Sequence, residues 1–154
     1  MQAEIVQTAM GVVGSLGFAL LFGIRGTKPL GCIALGSGIG WVVYLVSVAG
    51  GHGKAFGMLA SSLVIAICSE ARLIKTPVIL LLVPMLIPEI PGGDLYYTMY
   101  SLIEGDSAKF ASLLQLVLAE AGAIALGIIL ASYAAGLINN IYRHVRPCAH
   151  SPHK

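Results

Sequence analysis

The chain has 154 residues, 57% of them hydrophobic and only 10% charged, with a formal net charge of +2. A soluble domain carries about 25% charged residues, so this sequence lacks the charge to solvate a globular surface, and its mean hydropathy of +0.89 reads as an all-α polytopic membrane protein. No stretch is basic and aromatic enough for nucleic acid. A P-loop, a nucleotide signature and a Ser/His/Asp arrangement are all missing, which argues against ATP-driven transport and against an enzyme.

A helix needs about 20 apolar residues to cross a bilayer. In chain order the apolar runs are 5–24, 30–49, 55–74, 77–91 and a long last one, 110–141. They predict five transmembrane helices. The first run begins with Gln2 and Glu4 and has no basic leader, so it does not read as a cleavable signal peptide. Short polar breaks at 25–29, 50–54 and 71–77 separate the first four runs. The segment 92–109 is the one long polar connection, with a short helix expected over LYYTMYSLIEG. No Ser- or Gly-rich linker divides the chain, so residues 1–142 form a single five-span domain, followed by a basic tail, 143–154.

Lys and Arg set the orientation. With the N-terminus outside, the inner segments hold Arg25, Lys28, Arg72, Lys75, Arg143, Arg146 and Lys154, and the outer ones only Lys54 and Lys109. This bias places the C-terminus in the cytoplasm. Cys32, Cys68 and Cys148 lack metal or redox spacing, and the tail with His144, Cys148, His150 and His153 reads as solvated rather than metal-binding. No metal or cofactor is expected.

The fourth run is unusual. TPVILLLVPMLIPEIPGGDLYYTMY combines bilayer hydrophobicity with Pro77, Pro84, Pro88 and Pro91, the pair Gly92–Gly93 and the acids Glu89 and Asp94. Proline removes a backbone donor and clashes with the carbonyl four residues back. In hydrocarbon such a break survives only inside protein or beside a wet cavity, and broken helices are where transporters bind cargo. Pro84, Pro88, Glu89, Pro91, Gly92, Gly93, Asp94, Tyr96 and Tyr97 are therefore the expected substrate pathway. Backbone amides at Gly92 and Gly93 suit a carboxylate, although Asp94 also reads as a helix N-cap, and the tyrosines also suit an interfacial belt.

Intramembrane acids are functional candidates by default, because a carboxylate at a helix centre costs roughly 2.5–3.5 kcal/mol. Glu120 and Glu89 are the candidates for proton coupling. Glu4 and the Glu70, Arg72 and Lys75 group read as interfacial. Asn139 and Asn140 suit either a vestibule or hydrogen bonds between helices. Association of helices in lipid relies on close packing, and Ala119, Ala123, Gly127, Ala131 and Ala135 recur at intervals of four, as do Gly36 and Gly40.

The segment KTPVILLLVPMLIPEIPGGDLYYTMYSLIEGD, with its Pro88-x-x-Pro91-Gly92 break followed by Tyr96 and Tyr97, resembles the threonine/serine exporter family. GSLGFALLFGIRG and AGAIALGIIL fit as well, and the similarity covers most of the chain. The chain looks like the small-subunit (YjjB-like) type, equivalent to the C-terminal half of fused exporters. Met85 and Glu89 stand where small or apolar residues are expected. The resemblance implies a secondary exporter of threonine and serine in a bacterial inner membrane, working with a larger membrane subunit. Alternatives are a dicarboxylate (succinate) exporter subunit, a non-transporting scaffold for the larger subunit, and assembly as a homo-oligomer.

Overall fold

A computed structural model describes residues 2–70 and 77–145, with only the backbone path given for 2–4 and 139–145. The connection 71–76 with Arg72 and Lys75, the tail from Arg146 onward, and the side chains of Glu4, Asn139, Asn140, Arg143 and His144 lie outside the described residues. The fold is all-helical: α1 (Gln2–Leu21), α2 (Thr27–Ala49), α3 (Lys54–Glu70), α4 (Val78–Leu86), a 3₁₀ turn (Ile87–Glu89), α5 (Gly92–Ile103) and α6 (Ser107–Val145).

By length and apolarity, α2 and α6 each suffice to cross a membrane. The pair Val78–Glu89 and Gly92–Ile103, bent by 55°, makes a third span if counted as one. The apolar part of α1, Ile5–Leu21, is shorter, and α3 has 17 residues. Three of the five expected spans thus meet the length criterion directly, the third of them only as a broken one.

Three helices end in the same way. After α1, Gly23 takes a φ of 72°, its N–H donates to Leu20 O at 3.0 Å, and the Ile24 N–H reaches Ala19 O at 3.0 Å. This is a Schellman cap, completed by an apolar contact across the turn, and both Ala19 and Ile24 are buried. It stops the helix at Leu21, short of the 24 that hydropathy alone predicts. α2 ends likewise, with the Gly51 N–H donating to Val48 O and the His52 N–H to Ser47 O, and α5 with the Gly105 N–H donating to Leu102 O and the Asp106 N–H to Ser101 O. A Cβ at Gly105 would meet nothing within 4 Å, yet its φ is +78°. Gly105→Ala should therefore lower stability by about 1 kcal/mol through backbone conformation alone, while Gly136→Ala, also in open space, should not. Thermal melts in detergent compare the two, and an equal effect would refute the conformational account.

α6 opens on Asp106, whose carboxylate accepts from the Lys109 N–H at 3.1 Å, the usual N-cap bond to the third helical residue. With 39 residues, α6 extends some 58 Å at 1.5 Å per residue, well beyond a hydrocarbon core of about 30 Å.

The core joins α1 to α4: Ala19, Ile24, Ile33, Ile65, Leu81 and Met85 cluster together. α4 buries Leu81, Pro84 and Met85, and Glu89 continues that buried face into the 3₁₀ turn. Glycines let these helices close in. A Cβ on Gly36 would lie 2.6 Å from Met85 Sδ, and one on Gly11 would lie 3.2 Å from Pro88 Cβ.

The most extensive helix pairing is α3 with α6. Its closest point is Gly127, where a Cβ would collide with Ser62 Oγ and lie 2.9 Å from Leu59 O and 3.0 Å from Leu63 N. On α6 the buried residues are Val117, Glu120, Ala123, Gly127 and Ala131, whereas Ala119 is exposed and Ala135 half-buried. The reason is rotational. At 3.6 residues per turn, each step of four drifts by about 40°, so a strict interval of four leaves the contact face at its ends.

Candidate functional site

The break between α4 and α5 places a carboxyl group deep in the protein. Glu89 ends the 3₁₀ turn at 1% exposure. It is held between α2 and α3: its Oε1 lies 3.5 Å from where a Gly40 Cβ would be, and its Oε2 hydrogen-bonds with Ser61 Oγ. Gly40 also makes room for Ile65, which packs against the same position. Any side chain at residue 40 would displace the acid or its neighbour. Oε1 has no hydrogen-bond partner among the described residues, and neither does the buried Nε1 of Trp41, the residue after Gly40.

Ser61 is also within 3.2 Å of Met58 O. A hydroxyl has one hydrogen to donate and lone pairs to accept. With Glu89 ionised, Ser61 donates to the carboxylate. With Glu89 protonated, the acid donates to Ser61 Oγ, and Ser61 turns its hydrogen to the Met58 carbonyl. Both protonation states therefore find a partner. The other buried serines with described bonds, Ser15, Ser37, Ser62, Ser69 and Ser101, bond only to carbonyls of their own helices.

A second acid lies nearer the α2–α3 loop. Glu120 of α6 is fully buried; no N–H or hydroxyl among the described residues reaches its carboxyl oxygens, and the Asp94 carboxyl lies within hydrogen-bonding range of it. Asp94 and Lys54 are its charged neighbours. Those two form an ion pair, Nζ to Oδ2 at 2.9 Å. Tyr44 of α2 lies within electrostatic reach of Lys54, Glu120, Asp94 and Glu89. Its ring stands 5.2 Å from that of Trp41 and fits over Gly57, whose Cβ would approach it to 2.9 Å.

The remaining pathway residues spread around the break. Pro84 is buried and Pro88 half-buried, against α1 at Gly11. α5 begins at Gly92 with Pro91 in the cap position, so Asp94 sits inside the first turn rather than at the cap expected from sequence, and its carboxylate is taken by Lys54 instead. The Gly92 N–H donates to Ile90 O at 2.7 Å and is not free for a ligand. Tyr96 and Tyr97 are exposed on α5, 66% and 60%, while Thr98 and Ser101 form its buried side. The structure brings Glu89, Ser61 and Gly40 together, and separately Glu120, Asp94, Lys54 and Tyr44. It leaves both tyrosines on the outer surface.

Lys54, Ser61 and Tyr44 were not singled out by their sequence context. Lys54 follows a glycine-rich loop and Ser61 sits in an apolar run rich in small residues. Only the fold pairs Lys54 with an acid forty positions away.

A half-length helix broken by prolines, carrying a buried acid among membrane-length helices, is the arrangement secondary transporters use for their binding sites. A family model described as Threonine/Serine exporter, ThrE, matches residues 7–134, and the chain belongs to that family. No curated protein and no solved structure matches it.

Proposed function

We propose that the chain is the small subunit of a secondary exporter of threonine and serine, working with a larger membrane subunit and exchanging cargo for protons. The observation that carries this reading is Glu89: a fully enclosed acid at a proline break, with a serine partner able to serve both of its protonation states. Glu120 is the second coupling group. The cluster of Asp94 and Glu120 favours the ammonium of an amino acid and disfavours a dicarboxylate, which would meet two acids and one lysine. The substrate route runs along Pro84, Pro88, Pro91, Gly92 and Gly93. The excess of Lys and Arg on alternate connections supports an N-terminus outside a bacterial inner membrane.

The test is efflux of threonine from proteoliposomes, with this chain alone and then with the larger subunit, across a pH series. Glu89→Gln and Glu120→Gln should each flatten the pH dependence while leaving the protein folded. Wild-type pH profiles in both variants would remove the coupling assignment, and no efflux with the pair would remove the cargo assignment.

A further inference from the structure

The ion pair at the loop end of the bundle has an unusual neighbour. Lys54 and Asp94 are partly exposed, with side-chain exposures of 47% and 26%, and such pairs contribute little to stability. Yet the pair lies beside Glu120, a fully buried acid that no described N–H or hydroxyl reaches and whose side chain comes within hydrogen-bonding range of the Asp94 carboxyl. A buried carboxyl that no N–H or hydroxyl reaches is costly to keep. Two carboxyls here have one ammonium nearby, and only Asp94 is in contact with it. Tyr44, within electrostatic reach of all three, places a hydroxyl in the same neighbourhood.

We propose that Glu120 and Asp94 form a binding site for a primary ammonium group, and that Lys54 is its tethered occupant, filling the mouth when no ligand is present. Lys54 suits the role. Its ammonium is a compact charge on a flexible four-carbon stem, rooted at the first residue of α3 beside a loop of glycines and one histidine, 50–53. Asp94 sits in the first turn after the break, so the mouth is built on the segment that departs from the fourth span. An arriving ammonium takes the carboxyls and frees Lys54, whose side chain swings toward the solvent it already half faces. Ligand and lysine therefore compete. Resting on the amino-acid reading above, this assigns the cargo's ammonium end to Glu120 and Asp94.

The test uses the purified full chain in detergent, titrated with L-threonine and, separately, with ethylammonium, a bare ammonium probe, while melting temperature is followed. Lys54→Gln should bind both at least fivefold more tightly than wild type, because the competitor is gone. Lys54→Met should match it. Glu120→Gln should bind at least tenfold more weakly. If Lys54→Gln binds neither probe more tightly than wild type, the proposal is overturned, whether or not threonine binds. If ethylammonium shows the gain but threonine does not bind, the ammonium site stands and the threonine cargo falls.

Discussion

Gly127→Leu should prevent α3 and α6 from docking, and even Gly127→Ala should lower stability by about 1–3 kcal/mol, the usual range for an overpacked core. The obstacle is backbone. A Cβ there meets Leu59 O and Leu63 N at 2.9 and 3.0 Å, besides Ser62 Oγ, and a helix backbone cannot rotate aside as a side chain can. Gly36→Ala makes the instructive contrast: its Cβ would meet the end of the Met85 side chain, which is flexible and able to yield, so its effect should be smaller. Leu126→Ile, next to Gly127 but 54% exposed, should be nearly silent. Denaturation in detergent, with size-exclusion profiles, ranks the variants. A Gly127→Ala protein as stable as wild type would mean that the close approach of α3 to α6 is not what holds them.

Glu89→Leu should reduce export at least tenfold, and its effect on stability should depend on Ser61. In wild type, Ser61→Ala strips the acid of its one described partner, and leaving a buried group unsatisfied costs about 1–3 kcal/mol. In the Glu89→Leu background the same change removes a hydroxyl that still bonds to Met58 O, so the loss should be smaller. The double-mutant cycle should return a coupling energy of about 1–2 kcal/mol, in the range found for residues in direct contact. Additive effects would separate Ser61 from Glu89 and with it the two-state partnership drawn for the proton.

The break in the fourth span was legible before any coordinates, because proline's missing donor and fixed ring obey local rules that no packing can cancel. Glu120 was legible for a similar reason: an acid inside a long apolar run has few innocent explanations. Cap positions were not. Asp94 has the composition of an N-cap, but Pro91 has a fixed φ and starts the turn three residues sooner. The stripe on α6 was read in steps of four, whereas the helix repeats every 3.6 residues, and that difference turned Ala119 outward while bringing Glu120 in. Lys54 counted in the sequence only as one of two outer cations. Its pairing with Asp94 depends on how α3 and the start of α5 meet, which neither segment encodes alone.

The topology has a mechanical consequence. α4 and its 3₁₀ turn pack against α1, α2 and α3, whereas α5 rests on α6, and among the described residues α6 otherwise touches only α3. The helices thus fall into two contact groups that share α3, joined in sequence through Ile90 and Pro91. A small rotation of α6 on its glycine seat would carry α5 like a lever and pull Asp94 away from Lys54 while Glu89 stayed fixed in the other group. The bend sets Glu89 in one of these groups and Asp94 in the other.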